Sequence, residues 1–334
     1  MTQPTDAIAV LGPGSWGTAL AVLLARNGFD VRLWGPADQL SDLVRDGENR
    51  HFLPGIPLPP RLRPEPDLGL ALEGVDEMLV VVPSHAFRSV TESATALIPE
   101  NCSVSWATKG FDPQTGMLLS QVAAELMPGR SLGVLSGPTF AAEVARGLPT
   151  AITVASSDDA HARRLADYLH SETFRAYTSE DLAGVQVGGA TKNVMAIAAG
   201  ISDGLGFGAN ARIALMTRGL AEIRRLGLVL GGQAETFMGL AGLGDLALTC
   251  TDNQSRNRRM GLALASGRTV DEARAEIGQA VEGINTTREV QQLAVRHGID
   301  MPITREVHRI LYEGLEPREA VRDLLQREQK AEID

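Results

Sequence analysis

An apolar run at residues 8–11 stops at Gly12, and the chain then reads GPGSWG before a helical pattern rich in Ala and Leu begins. A G-x-G-x-x-G spacing set between a strand and a helix constrains this chain more than any other feature. Gly12 permits the tight turn, Gly14 lets a ligand approach the backbone, and Gly17 lets helix and strand pack closely. The N–H groups of the first helical turn then face outward, where they suit the phosphates of a dinucleotide. The chain is therefore expected to start with a βαβ unit of a doubly wound sheet.

The rhythm continues for about half the sequence. Residues 30–34, 78–82, 103–107 and a run from 132 read as further buried strands, with helical patterns such as 15–27 between them. Residues 52–66 hold six prolines and read as an ordered surface loop, neither helix nor central strand. From about residue 179 only helical periodicity is evident, at 181–201, 211–226, 234–240, 256–265, 270–277, 286–297, 303–312 and 317–325. The chain has 334 residues, too many for one core of ordinary size. The expectation is an α/β Rossmann-type domain with a doubly wound parallel sheet at 1–180. An all-helical domain for substrate binding and dimerisation follows at 181–334.

Composition narrows the classes of partner. The chain carries 31 Lys and Arg against 41 Asp and Glu, a formal charge of -10, which argues against nucleic acid and anionic membranes. An anionic substrate would need a local basic site. Two cysteines give no disulfide framework, and the six histidines show no metal-ligand spacing, so no bound metal is expected. No apolar run is long enough to span a bilayer, and residues 1–7 carry no basic leader, so the expected location is the cytoplasm.

Several residues then ask for a chemical explanation. Lys192 is the single charge between residues 182 and 202, in GGATKNVMAIAAG. An amine inside so apolar a helix either snorkels to the surface or is used. Lys109 directly follows a buried strand and points into the crevice at the strand ends, unless it is a solvated loop lysine. In SGPTFAAEV, Gly137 and Thr139 could present an N–H and a hydroxyl to an anion, although Thr139 would also serve as a plain helix cap. Asp245 sits in an apolar stretch that turns basic at Arg256, Arg258 and Arg259, interleaved with Asn253, Gln254, Ser255 and Asn257. Planar guanidinium with amide donors beside it suits a phosphate dianion, and a solvated helix start is the plainer alternative. A nicotinamide site, a desolvated amine and a phosphate clamp point to hydride transfer at a carbinol carbon. Lys192 is then the acid/base residue, with Asp245 orienting the amine or holding a substrate hydroxyl.

With these motifs in hand the chain resembles the bacterial NAD(P)-dependent glycerol-3-phosphate dehydrogenases, which interconvert dihydroxyacetone phosphate and sn-glycerol 3-phosphate. GPGSWGTALA, VVVPSH, WATKG, SGPTFAAEV, GGATKNVMAIAAGISDGLGFGANA, GLGDLALTCTDNQSRNRR and GQAVEG carry the resemblance over nearly the whole length. It implies Lys192 as catalytic lysine, with Lys109 and Asp245 beside it. It implies substrate contacts at Lys109, Gly137, Thr139, Asp245, Ser255, Arg256 and Asn257, with Asn193 and Thr249 lining the same site. Cofactor contacts are implied at Ser15, Trp16, Lys109, Ala141, Arg256, Ala280 and Glu282, joining Gly12, Gly14 and Gly17. The resemblance further implies NADPH or NADH as cofactor, a helical second domain like the C-terminal domain of 6-phosphogluconate dehydrogenase, a homodimer, and a role in supplying glycerophospholipid synthesis.

Two departures stand out. Trp16 replaces the usual Phe or Tyr. Pro36 stands where many relatives carry His or a basic residue near the adenosine 2′ position, and the second strand ends in Trp34–Gly35–Pro36, with no acid to repel a 2′-phosphate. The rival readings are a β-hydroxyacid dehydrogenase of similar architecture, disfavoured by the basic run, and a non-catalytic NAD(P)-sensing module, which leaves Lys192 without a purpose.

Overall fold

Alternation along the strands builds the first half of the molecule. In a computed structural model that describes residues 6–328, β1 (Ala7–Leu11) turns Ile8 and Val10 to one face and Ala9 and Leu11 to the other. Each face packs into its own apolar core, as a sheet covered on both sides requires. The elements that follow are α1 (Ser15–Arg26), β2 (Asp30–Trp34), α2 (Ala37–Asp46), β3 (Leu62–Glu65), α3 (Leu68–Leu72), β4 (Glu77–Val80) and α4 (Ser84–Thr95). Then come β5 (Ser103–Trp106), α5 (Leu119–Leu126), β6 (Leu132–Ser136), α6 (Ala141–Ala145), β7 (Thr150–Ser156), α7 (Asp159–Leu169) and β8 (Phe174–Ser179).

The eight strands run in the order β3-β2-β1-β4-β5-β6-β7-β8. Neighbours are parallel except β6 and β7, which are antiparallel. The order reverses between β1 and β4, the switch point at which open α/β sheets bind their ligands.

The doubly wound sheet matches the sequence expectation, and its details correct it. β7 and β8 were not anticipated, because TAITVAS and FRAYTS alternate too weakly to separate from loop. The proline-rich segment ends in a strand after all: β3 pairs only with β2, and Pro64 is tolerated there because an edge strand need not donate on both sides. β4 ends at Val80, two residues before the predicted end.

The helical elements are α8 (Leu182–Gly204), α9 (Gly208–Val229), α10 (Asp245–Thr251), α11 (Arg256–Ala265), α12 (Val270–Ile277), α13 (Glu282–His297), α14 (Pro302–Glu313) and α15 (Pro317–Leu325). Residues predicted as a helix at 234–240 instead form a 3-10 turn, Ala234–Met238, followed by a π turn, Leu240–Gly244. The glycines at 239, 242 and 244 favour these irregular turns over a regular helix.

The described residues pack as two compact units, residues 6–189 with 230–245, and residues 190–229 with 246–328. In the first unit Asp181 holds the returning segment to the start of α8. Its carboxylate accepts hydrogen bonds from Gly184 N, Gln233 N and Thr236 Oγ1 at 2.7, 2.8 and 2.6 Å. In the second unit α8 and α11 cross at glycines. A Cβ on Gly200 would lie 2.1 Å from Arg258 O, and one on Gly261 would lie 2.1 Å from Ile197 O. Only glycine permits so close an approach of two helix backbones.

Candidate active site

The glycine loop is built as its spacing requires. Gly12 has φ +122° and a Cβ there would meet Val81 O at 2.6 Å, while a Cβ on Gly17 would fall 1.9 Å from Gly12 O. Gly14 caps α1 with no side-chain hydrogen bond, and a Cβ on it would meet nothing within 4 Å. The backbone at this helix N-terminus is thus open, uncapped and at the switch point, and it fits a dinucleotide pyrophosphate. Ser15 donates its hydroxyl to Phe52 O at 2.7 Å, and Trp16 is half-buried beside it.

At the end of β2, Gly35 presses on the loop: a Cβ there would lie 2.4 Å from Pro13 Cγ. Of the cations near the end of β2 in sequence, Arg32 donates to Leu70 O and Glu73 O at 2.9 and 2.5 Å, closing the end of α3. Arg50 is exposed and meets Asp46 at 3.5 Å.

Lys109 follows β5 and its Nζ donates to Asp245 Oδ2 at 2.7 Å, with the lysine side chain 14% and the aspartate 1% exposed. Asp245 opens α10, where the helix dipole favours a carboxylate. Two glycines of α8 make room around this pair. A Cβ on Gly188 would meet Ala241 O at 2.5 Å, and one on Gly189 would meet Ser136 Oγ at 2.3 Å and Lys109 Cδ at 3.9 Å. Gly137 follows β6 at φ +158°, backed by Ile152. Thr139 is not the cap of α6; that position is Phe140, and the Thr139 hydroxyl turns to Gly137 O at 3.2 Å. Ala141, the first residue of α6, is half-buried.

In the second unit Lys192 is buried in α8, and its Nζ donates to Thr249 Oγ1 of α10 at 2.8 Å. It does not snorkel. Asn257 Nδ2 donates to Asn193 Oδ1 at 2.9 Å, and Asn257 Oδ1 accepts Gly283 N at 2.9 Å, which fixes the orientation of both amides. The Asn193 Nδ2 that remains is buried and has no protein partner, a donor suited to a bound oxygen.

The basic run separates into different uses. Ser255 caps α11 by accepting Arg258 N. Arg258 is buried against Asp203 at 2.6 Å, an ion pair shared with Arg212 at 2.7 Å, and so belongs to the scaffold. Arg259 is exposed. Arg256 remains, half-buried at the first position of α11, with no ion-pair partner among the described residues. Glu282 opens α13 and is half-buried, and Ala280 lies exposed just before it. Among the described residues no group of three His, Cys, Asp or Glu could hold a metal ion.

Sequence reasoning passed over one buried residue of the loop region, Asn49, which touches the glycine loop directly. No motif marks it; the sole cue is a polar residue flanked by charges just before the proline-rich segment.

An open sheet with an uncapped glycine loop at its switch point, and a helical unit with a buried lysine, define a nicotinamide-dinucleotide oxidoreductase. Comparison with known proteins makes the class specific. The sequence model described as NAD-dependent glycerol-3-phosphate dehydrogenase N-terminus matches residues 7–162, and that of the C-terminus of the same family matches residues 181–322. The chain belongs to the NAD-dependent glycerol-3-phosphate dehydrogenase family.

It is similar to the glycerol-3-phosphate dehydrogenase [NAD(P)+] of Colwellia psychrerythraea, with 55% identity over 97% of this chain and 98% of that one. The enzyme of the same name from Idiomarina loihiensis is 54% identical over 98% of this chain and 99% of that one. Among solved structures, glycerol-3-phosphate dehydrogenase from Coxiella burnetii superposes with a TM-score of 0.94 at 49% identity, covering 97% of this chain and 99% of that one.

Proposed function

We propose that this chain reduces dihydroxyacetone phosphate to sn-glycerol 3-phosphate, reversibly, with NADPH or NADH. The observation that carries the reading is the buried amine of Lys192, anchored on Thr249 in a unit whose family acts on glycerol 3-phosphate. The first unit holds the dinucleotide by the Gly12, Gly14 and Gly17 loop, with Ser15, Trp16, Lys109 and Ala141 alongside. When bound, the reduced nicotinamide supplies the hydride that adds to C2. Lys192 gives its proton to the C2 oxygen as charge develops there.

Asp245 holds the Lys109 ammonium in place, so that Lys109 presents positive charge without wandering. Arg256 takes the substrate phosphate, helped by the positive end of the α11 dipole and the unpartnered amide of Asn193. The further substrate contacts of this reading are Gly137 and Thr139 in the first unit and Thr249, Ser255 and Asn257 in the second. Ala280 and Glu282 meet the cofactor, Glu282 through the adenosine ribose hydroxyls.

The product supplies the glycerol backbone of glycerophospholipids. The chain works as a homodimer through its helical unit, and in a reducing cytoplasm. Both cysteines are buried, and burial pushes the Cys102 thiol up to about 12, where it is inert. No helix among the described residues is long and apolar enough to cross a membrane.

The test is the loss of NADPH or NADH absorbance with dihydroxyacetone phosphate, run beside a panel of hydroxyacids and their keto acids and a blank without substrate. Turnover on dihydroxyacetone phosphate alone is expected. Turnover on the acids would favour the β-hydroxyacid reading, and binding without turnover the sensing module.

A further inference from the structure

We infer that Asn49 is a positioning residue for the dinucleotide, one that sets the direction of a single peptide plane in the glycine loop. This inference rests on the reading of residues 12–17 as the cofactor loop. Asn49 is 1% exposed and lies between α2 and β3, outside the motif. Its Nδ2 donates to Pro13 O and to Thr18 Oγ1, both at 2.8 Å, and its Oδ1 accepts Phe52 N at 3.1 Å. Thr18, fully buried on α1, adds a weaker bond to the same Pro13 carbonyl at 3.3 Å. The Asn49 backbone is also fixed, since its carbonyl accepts Leu53 N at 2.8 Å. Every polar group of the Asn49 side chain is therefore committed inside the protein, and its amide is aimed at one carbonyl of the loop.

That carbonyl decides where a neighbouring N–H points. The Pro13–Gly14 peptide is planar and trans, so its C=O and N–H point in opposite directions. Holding Pro13 O inward on Asn49 and Thr18 turns Gly14 N–H outward, on the open side where a Cβ of Gly14 would meet nothing. Pro13 fixes its own φ but not its ψ, and Gly14 tolerates almost any rotation, so nothing in the loop itself prevents this plane from flipping. A flipped plane would present a carbonyl to the pyrophosphate in place of a donor. The Ser15 hydroxyl on Phe52 O ties the same segment to the loop a second time, one residue further on.

The pyrophosphate is common to NADH and NADPH, so the effect must be common too. The experiment measures dissociation constants of both cofactors by nicotinamide fluorescence, with steady-state kinetics, for the wild type, Asn49→Ala and Asn49→Asp. Asn49→Asp keeps the size and the acceptor for Phe52 N but cannot donate to Pro13 O, so it serves where the alanine variant folds poorly. Expected for Asn49→Ala is a dissociation constant raised ~10-fold or more, by the same factor within about twofold for NADH and NADPH. The KM for dihydroxyacetone phosphate stays unchanged, and kcat at saturating cofactor stays within about threefold of wild type. Asn49→Asp should weaken binding at least as much.

A folded Asn49→Ala that binds both cofactors normally overturns the inference, as does an effect confined to NADPH, or an effect of Asn49→Asp alone. Failure of both variants to fold would assign Asn49 to the scaffold and overturn it as well. A wild-type chain that binds neither dinucleotide overturns this inference together with the reading on which it rests.

Discussion

Arg256 differs from its basic neighbours in what surrounds it, and that difference can be measured. Arg258 answers Asp203, Arg259 faces solvent, and Arg256 is half-buried with no ion-pair partner among the described residues, which suits the ligand role proposed for it. Arg256→Ala should lower kcat/KM for dihydroxyacetone phosphate by ~10²-fold or more, about 2.7 kcal/mol, and change the slow reduction of unphosphorylated dihydroxyacetone far less. Equal losses on both substrates would make Arg256 structural or a cofactor contact. Cofactor choice is a second residue-scale matter. β2 ends without an acid, so no charge repels a 2′-phosphate, but Arg32 is spent on α3 and Pro36 offers no cation. Both cofactors should be used, with NADPH favoured modestly in kcat/KM at one fixed ionic strength. A preference for NADH of ~100-fold would reveal an acidic guard. Lys192, Lys109, Asp245 and Arg256 stand out in the sequence because each breaks a local pattern, a charge among apolar residues or cations at a helix start. Asn49 and the Asn193–Asn257 pair do not, because a buried amide is recognised only by the partners that folding brings to it.

Elements carry a different kind of evidence. Glu222 of α9 is buried and receives Ile303 N, Thr304 N and Thr304 Oγ1 at the start of α14, at 2.6, 3.1 and 3.1 Å. Burial pushes its carboxyl up to about 7, against these three hydrogen bonds and the nearby Arg225, which pull it down. A folded pKa above the unfolded one means that the folded state binds the proton more tightly. The stability Glu222 lends is then present below about pH 4.5 and is lost as pH rises to about 7. Compared with the wild type, Glu222→Gln should remove a pH-dependent loss of up to ~3 kcal/mol across that window. Urea unfolding at pH 5 and pH 8 checks it, and parallel pH dependence in the two proteins would contradict it. Long periodic helices such as α8 and α13 were legible, and so were strands with β-branched runs. β7, β8 and the turns at 234–244 were not, since weak alternation and scattered glycine leave the outcome to tertiary packing. The glycines at 200 and 261 were visible only as small residues; their purpose, the close crossing of α8 and α11, needs the structure.

At the scale of the molecule the prediction concerns assembly. The helical unit leaves Phe207, Ile213, Leu228 and Val229 exposed on and beside α9, at 41%, 55%, 45% and 51%. Apolar side chains left exposed along and beside a helix suit a second copy of the chain. Light scattering at micromolar concentration should give the mass of two chains, and a fully active species of one chain's mass would contradict it. That an α/β half precedes a helical half is legible from the change of period near residue 179. That residues 230–245 return to the first unit is not, because the tie is made by Asp181, a long-range cap with no sequence signature. The central claim remains that a buried lysine moves the proton. Its most direct test is kcat for dihydroxyacetone phosphate reduction in wild type and Lys192→Ala, with the cofactor dissociation constant measured on the same samples. The account predicts a fall of ~10²-fold or more in kcat with cofactor binding nearly unchanged. Near-normal turnover in a folded Lys192→Ala protein would contradict it.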